Sequence, residues 1–149
     1  MSKLLKKIQS ESMLALKSGD KLRLSVLRLI IAAVKNLEIS KRPDPIDDSD
    51  VMAVIAKEIK ECEEDIKIYA DAGKDDRVKT LQDELKILRE YLPAMDEGAV
   101  EALVKEAIKK TSARSLADIG KIMGYVMPKV SGQATPDLVR SLAAKQLKE

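Results

Sequence analysis

The stretch that decides the fold is residues 21–40, KLRLSVLRLIIAAVKNLEIS, a strongly apolar segment. Leucine, isoleucine, valine and alanine occupy most of its positions, and no proline or glycine interrupts it. The pattern predicts the central and most buried helix of the protein. Gly19 is placed to end a preceding helix, and Asp20 is placed to cap this one.

Further helices are predicted on both sides of this segment. One covers residues 2–18. After a proline-containing loop, a long helix runs from about residue 50 to residue 72, where Gly73 ends it. Residues 75–92 repeat leucine or valine at spacings of three and four, as an amphipathic helix does. Because only a short turn separates these last two helices, we expect a long antiparallel hairpin whose outer faces carry an acidic excess.

A boundary is predicted at Leu92-Pro93-Ala94. Three short helices follow it, at about residues 96–110, 115–127 and 136–147. We find no convincing alternating pattern of the kind that a β-strand shows. The sequence therefore predicts an all-α protein with two parts. An N-terminal helical domain over residues 1–92 contains the long antiparallel hairpin, and a small C-terminal three-helix module covers residues 93–149.

The composition excludes several classes of function. The chain has no tryptophan, no phenylalanine and only three tyrosines, so it lacks the aromatic platforms on which RRM, OB-fold and cold-shock domains stack bases. It has no histidine, which removes the usual proton shuttle and the commonest metal ligand. Its single cysteine, Cys62, lies among glutamates, and its acidic clusters are interleaved with lysines. We expect no catalytic residue, no metal site and no cofactor.

The location expected from the sequence is cytoplasmic. One cysteine permits no internal disulfide, which fits a reducing compartment. Residues 1–13 lack the apolar core of a signal peptide, and no apolar run approaches transmembrane length. We therefore expect a soluble cytoplasmic protein with no membrane partner.

Charge is distributed unevenly along the chain. Residues 1–42 carry ten basic and three acidic residues, a net +7, whereas residues 43–110 carry a net −8 and residues 111–149 a net +3. Candidate phosphate ligands on the basic side are the cations of the apolar helix, Arg23, Arg28 and Lys35. An edge that forms ion pairs, for example with the acidic hairpin, fits the same pattern and is favoured by it.

A second candidate site lies at residues 120–132, GKIMGYVMPKVSG, which hold three of the six glycines. Glycine inside a helix costs about 0.5–1 kcal/mol of stability relative to alanine. We therefore expect a structural or functional role to explain glycine at positions 120 and 124. Spaced i, i+4, they share one helix face without side-chain bulk, and Lys121 and Lys129 flank it. Either a neighbouring helix or a phosphate could approach the backbone there. Spacing alone favours the helix.

Two groups of motifs resemble the YqeY-like proteins of the GatB/YqeY family. The first is Gly19-Asp20-Lys21 with the LSVLRL of residues 24–29. The second is Tyr91-Leu92-Pro93 with the GKIMG and MPK of residues 120–129. The C-terminal module is also similar to the tail domain of the B subunit of the tRNA-dependent amidotransferase. In that enzyme the tail is a helical element that contacts tRNA, whereas the chemistry takes place in other domains and subunits.

This resemblance implies a non-catalytic accessory protein of aminoacyl-tRNA metabolism, with no amidotransferase activity of its own. Its partners would be tRNA and an aminoacyl-tRNA synthetase or amidotransferase component. The implied tRNA-binding positions are Gly120, Lys121, Gly124, Lys129 and Gly132. Family members often place basic residues around the glycine turn, where this chain has Ser131 and Gln133, so we expect weak binding with a shallow salt dependence. The alternative is a helical protein–protein adapter that does not bind RNA.

Overall fold

The computed structural model describes residues 2–130 and 133–147, so Ser131 and Gly132 of the glycine-rich stretch lie outside the described residues. Within these ranges the chain forms seven α-helices and one 3-10 turn, without a strand, and the predicted all-α class is confirmed. None of the helices in this part of the chain is both long enough and apolar enough to span a membrane. The chain divides into two compact units, a first unit (Met1–Leu92) and a second unit (Pro93–Glu149).

Four helices make up the first unit: α1 (Lys3–Ser18), α2 (Lys21–Lys41), α3 (Asp48–Asp71) and α4 (Asp75–Tyr91). Their ends follow from local chemistry. Gly19 closes α1 in a left-handed conformation with φ of 78°, which glycine adopts at little cost. The Asp20 carboxylate accepts a hydrogen bond from the Arg23 backbone N–H at the start of α2. Helices α3 and α4 pack against each other across a short turn, as the predicted hairpin.

An aliphatic core joins all four helices of the first unit. Its fully buried members include Ile8 of α1, Leu27 and Ile30 of α2, and Ile55 and Ile59 of α3. Burying one such side chain contributes about 1.5–3 kcal/mol, so these contacts dominate the stability of the unit. Helix α2 contacts α1, α3 and α4, but α3 also contacts the other three helices and is buried to a similar degree, so the central position predicted for α2 is shared with α3.

A smaller part of the surface of α2 is buried than the apolar sequence predicts. Leu27, Ile30 and Val34 are buried, whereas Leu29 is 54% exposed and Ile39 is 59% exposed. The neighbouring helices cover only one side of α2, so its apolar residues are not all buried, although the sequence predicts a strongly buried helix. Its exposed surface is a broad and partly apolar face.

The second unit contains α5 (Glu97–Thr111), a 3-10 turn (Leu116–Asp118), α6 (Ile119–Val126) and α7 (Pro136–Leu147). The single helix predicted at residues 115–127 is thus divided into a tight turn and a shorter α-helix. The Asp118 carboxylate accepts the backbone N–H groups of Arg114 and Ser115 at 2.9 and 3.4 Å, which holds this turn closed. Valine and alanine side chains of α5 and α7 pack around Ile122 and Val126 of α6 to form the core.

Candidate nucleic-acid interface

Helix α6 turns one face to the core of the second unit and the opposite face to solvent. Ile122 and Val126 are fully buried, while Gly120 and Gly124 lie on the exposed side. The helical period produces this division, because residues four apart share a face and residues two apart point in nearly opposite directions. The exposed surface at Gly120 and Gly124 is called the bare face.

The bare face is open within the described part of the chain. A Cβ atom added at Gly120 or at Gly124 would meet no atom within 4 Å. The close packing against a neighbouring helix that the glycine spacing favours is therefore absent from the described residues. Packing among the described residues of the second unit does not account for two helical glycines that each cost about 0.5–1 kcal/mol relative to alanine.

Two lysines flank the bare face. The Lys121 side chain is 64% exposed, and its Nζ lies 3.6 Å from Asp118 Oδ1, an ion pair of a kind that contributes little when exposed. Lys129 follows α6, and its Nζ lies 5.0 Å from the centre of the Tyr125 ring in a cation–π contact. Both ammonium groups have a local partner, yet both lysines are exposed and accessible to an anion.

Tyr125 positions the second of these lysines. Desolvation raises the pKa of Tyr125, and so does the hydrogen bond that its hydroxyl donates to the Glu106 carboxylate. The ring is thereby tied to α5 while it contacts Lys129. Sequence reasoning treats the tyrosines only as too few for base stacking and misses this anchoring role. The i, i+4 spacing of Tyr125 and Lys129 is the signal that could have found it.

Gln133 has a structural role that the sequence does not reveal. Its backbone N–H donates to Val130 O at 2.7 Å, and its carbonyl accepts the Met95 N–H at 2.7 Å. Its side-chain amide donates to Pro93 O at 3.3 Å. The residue that sequence reasoning counts as a missing cation therefore ties the turn after α6 to the segment before α5. Ser131 and Gly132, the remaining predicted positions of this turn, lie outside the described residues.

The basic edge of α2 is partly occupied by ion pairs. The Arg23 guanidinium lies 2.7 Å from Glu90 Oε2 and 3.6 Å from Asp20 Oδ2. The hydrogen bond to Glu90 is the main reason that the pKa of Arg23 is raised, although partial burial opposes it. A phosphate would have to displace Glu90, as the ion-pairing interpretation of this edge implies. Arg28 and Lys35 are exposed on α2.

The environment of the single cysteine does not activate its thiol. Cys62 is buried, and its thiol donates a hydrogen bond to Leu81 O at 3.2 Å. Burial raises the pKa of the Cys62 thiol to about 11, and the nearby carboxylates of Glu84 and Asp65 add to the effect. Residues 2–130 and 133–147 hold no group of three or more acidic or cysteine side chains that could share a metal ion.

Comparison with known proteins places the chain in a family. Residues 5–147 match the family described as Yqey-like protein, and the chain belongs to it. Among individual proteins, it is similar to altered inheritance of mitochondria protein 41, mitochondrial, of Pyrenophora tritici-repentis. The two are 31% identical over 87% of this chain and 72% of the relative. The proteins of the same name from Saccharomyces cerevisiae (strain YJM789) and Eremothecium gossypii are each 26% identical over 91% of this chain and 78% of the relative.

These relatives overturn the expected cytoplasmic location. All three are named as mitochondrial proteins, so the prediction of a cytoplasmic protein is wrong by this comparison. The physical reason is that the sequence features behind the cytoplasmic prediction do not distinguish the cytoplasm from other compartments. A lone cysteine fits any compartment that keeps thiols reduced, and the lack of a secretory signal separates only secreted from non-secreted chains. Neither the family description nor these names indicates a catalytic activity.

Proposed function

We propose that this protein is a non-catalytic tRNA-binding accessory protein, and that the bare face of α6 with Lys121 and Lys129 forms its RNA contact. The observation that carries the proposal is the open space at Gly120 and Gly124, which no neighbouring helix fills among the described residues. A polyanion backbone can approach such a surface closely, and lysines at its edge neutralise phosphates. The resemblance of the second unit to the tRNA-contacting tail of the amidotransferase supports tRNA as the polyanion.

The mode of recognition follows from what the surface offers. Glycine backbone and lysine side chains contact phosphates and sugars, and such contacts read the shape of an RNA and not its base sequence. Two flanking lysines provide few phosphate contacts, so the expected affinity is modest and falls with salt. The names of the relatives direct the search for the physiological RNA to mitochondria.

The non-catalytic part of the proposal rests on the side chains present. The chain contains no histidine, and its one thiol is buried with a pKa near 11, so it is mostly unionised at neutral pH. Any chemistry on a bound tRNA would belong to a partner, for which an aminoacyl-tRNA synthetase or an amidotransferase component is the candidate. No cofactor is required by this role.

A protein–protein adapter is the competing function, and the same open surface supports it. A partner helix can approach two glycines as closely as a phosphate backbone can. The two functions differ in their dependence on charge, because helix docking on glycines needs no lysine, whereas phosphate binding weakens with each cation that is removed.

The proposal is tested by titrating the whole protein with total mitochondrial tRNA at low and at moderate salt, using fluorescence anisotropy. We expect saturable binding that weakens as salt rises. The double variant Lys121→Ala with Lys129→Ala should bind about tenfold more weakly, and its slope of log K against log salt should be shallower by about 0.7–0.9 for each phosphate that is no longer neutralised. The charge-matched control is Lys105→Ala with Lys145→Ala, two exposed lysines on α5 and α7.

The outcomes separate the two functions. Salt-sensitive binding that the α6 variant weakens and the control variant does not supports the tRNA role. Equal weakening in both double variants would show nonspecific attraction by net charge and contradict the assigned surface. If no binding is detected at low salt, the tRNA role is excluded and the adapter remains.

A further inference from the structure

A groove in the first unit is independent of the proposed RNA contact. It lies between α2, α3 and α4 and has a volume of about 370 Å³. Buried apolar side chains, among them Leu81 and Leu88 of α4, form its floor. Leu29 of α2 forms one wall and is 54% exposed. The apolar surface that the described residues leave uncovered in the groove is therefore mainly that of Leu29, because the leucines of the floor are themselves only 3–4% exposed.

Acidic side chains surround this apolar floor. Glu58, Glu61 and Asp65 follow one another along one face of α3, and Glu84 faces them from α4. Partial burial and the neighbouring Glu61 raise the pKa of Glu58, and Lys57 offsets this in part. A cation entering the groove would therefore find Glu58 and Glu61 close enough to repel each other, and it would stabilise both charges.

One guanidinium lies among the described residues that line the groove. It belongs to Arg77, which sits 5.6 Å from the centre of the Tyr69 ring. Four carboxylates against this single cation leave the described lining strongly negative. An occupant must therefore bring positive charge, and it must also bring apolar surface for the exposed Leu29.

We propose that this groove docks a basic amphipathic helix of a partner protein, with its apolar face on Leu29 and its lysines or arginines against the acidic rim. A helix meets both requirements at once, because residues at i, i+3, i+4 and i+7 form an apolar stripe while cations lie beside it. A metal ion would leave the apolar wall uncovered, and a purely apolar helix would bury the carboxylates without partners. The groove is small, so the contact is of the weak and transient kind.

The probe is a synthetic peptide of about 14 residues with leucines at helical spacing and lysines elsewhere, labelled for anisotropy. The full-length protein is titrated with it in the absence of RNA. Two comparison peptides accompany it: a scrambled peptide of the same composition, and a peptide with glutamates in place of the lysines. We expect saturable binding of the basic amphipathic peptide and at least tenfold weaker binding of both others.

Matched variants locate the binding. Glu61→Lys should weaken binding of the basic peptide about tenfold, whereas Glu64→Lys, on the same helix but outside the groove, should change it less than about twofold. Leu29→Ser should weaken binding several-fold, whereas Ile39→Ser, equally exposed on α2 and outside the lining, should not. All four substitutions are at exposed positions, so the fold should tolerate them, and thermal unfolding confirms this.

Several results would overturn the proposal. Equal binding of the scrambled and amphipathic peptides would reduce the effect to general charge attraction. Equal weakening in Glu61→Lys and Glu64→Lys would remove the groove from the interaction. Concentration-dependent self-association that Glu61→Lys abolishes would make a second copy of this chain the occupant instead of a partner protein. Because no RNA is present, each of these results leaves the proposed tRNA role untouched.

Discussion

The α2 edge of the first unit and the bare face of the second unit both carry cations on an exposed helix, yet they are built differently. On α2 the most constrained cation, Arg23, is held 2.7 Å from Glu90. On α6, Lys121 has only a 3.6 Å contact with Asp118 and is 64% exposed, and the glycines beside it face open space. The first arrangement supports the fold, and the second leaves the surface available to a ligand.

The comparison shows that a basic residue in a sequence carries two possible roles that only its surroundings separate. A cation paired with a carboxylate contributes to stability and must break that pair to bind a phosphate. A loosely held cation beside an uncovered backbone contributes little to stability and gives up little when it binds. The two regions should therefore respond in opposite ways to substitution.

The largest difference is expected in tRNA affinity. Lys121→Ala with Lys129→Ala should weaken binding about tenfold, whereas Arg28→Ala with Lys35→Ala removes the same charge and should weaken it less than about threefold. Anisotropy titrations at one low salt concentration measure both. A larger effect from the α2 pair would move the RNA contact to the first unit.

Glycine substitutions should produce effects of opposite sign on stability. Gly120→Ala and Gly124→Ala should each raise the free energy of unfolding by about 0.5–1 kcal/mol, because the added methyl meets open space and favours the helix. Gly19→Ala and Gly73→Ala should each lower it by about 1–2 kcal/mol, because φ is positive at both positions. Urea unfolding followed by circular dichroism reports the sign. A loss of stability at Gly120 or Gly124 would mean that the fold requires glycine there.

A smaller effect on stability is expected at Arg23. Arg23→Gln should lower the free energy of unfolding by about 0.5–1 kcal/mol, since the ion pair with Glu90 is partly exposed to solvent. Arg28→Gln is the control and should change stability by less than about 0.5 kcal/mol. The tRNA affinity of Arg23→Gln should stay close to that of the original protein. A strong loss of affinity with unchanged stability would mean that Arg23 binds RNA directly.

The smallest effect is expected from pH. The hydrogen bonds from the Arg114 and Ser115 N–H groups hold the pKa of Asp118 below its usual value. A carboxylate with a lowered pKa in the folded state stabilises the fold above about pH 4, and this stability is lost as pH falls through the lowered pKa. With no histidine in the chain, tRNA affinity should change less than about twofold between about pH 5.5 and 8. A steep change in that window would point to a titrating group at the interface.

The fold was largely predictable because its signals are local. Gly19 and Gly73 end helices through their own backbone conformation, and Asp20 caps α2 through a residue three positions away. Such signals lie within one helical turn and can be read without knowing the tertiary structure. The predicted ends of most helices accordingly fall within about two residues of the observed ones.

The properties that sequence reasoning missed depend on contacts between distant segments. The exposed side of α2, with Leu29 and Ile39, depends on where α1, α3 and α4 pack. The apolar residues of α2 alone do not indicate which side of the helix those neighbours will cover. The pairing of Arg23 with Glu90 and the link from Gln133 to Pro93 join residues far apart in sequence. The shared face of Gly120 and Gly124 was predicted from their spacing, but that spacing favoured a packed neighbouring helix, whereas the face is open among the described residues.

The bare face is tested as the RNA contact most directly by filling it without changing charge. In the variant Gly120→Leu with Gly124→Leu, leucine favours the helix, its Cβ would meet no described atom within 4 Å at either position, and both positions are exposed, so the second unit should stay folded. The dissociation constant for tRNA is then measured beside that of the original protein. We expect at least about tenfold weaker binding at equal or higher thermal stability, because the side chains keep the RNA backbone away. Unchanged tRNA affinity in this folded variant would show that the bare face is not the RNA contact.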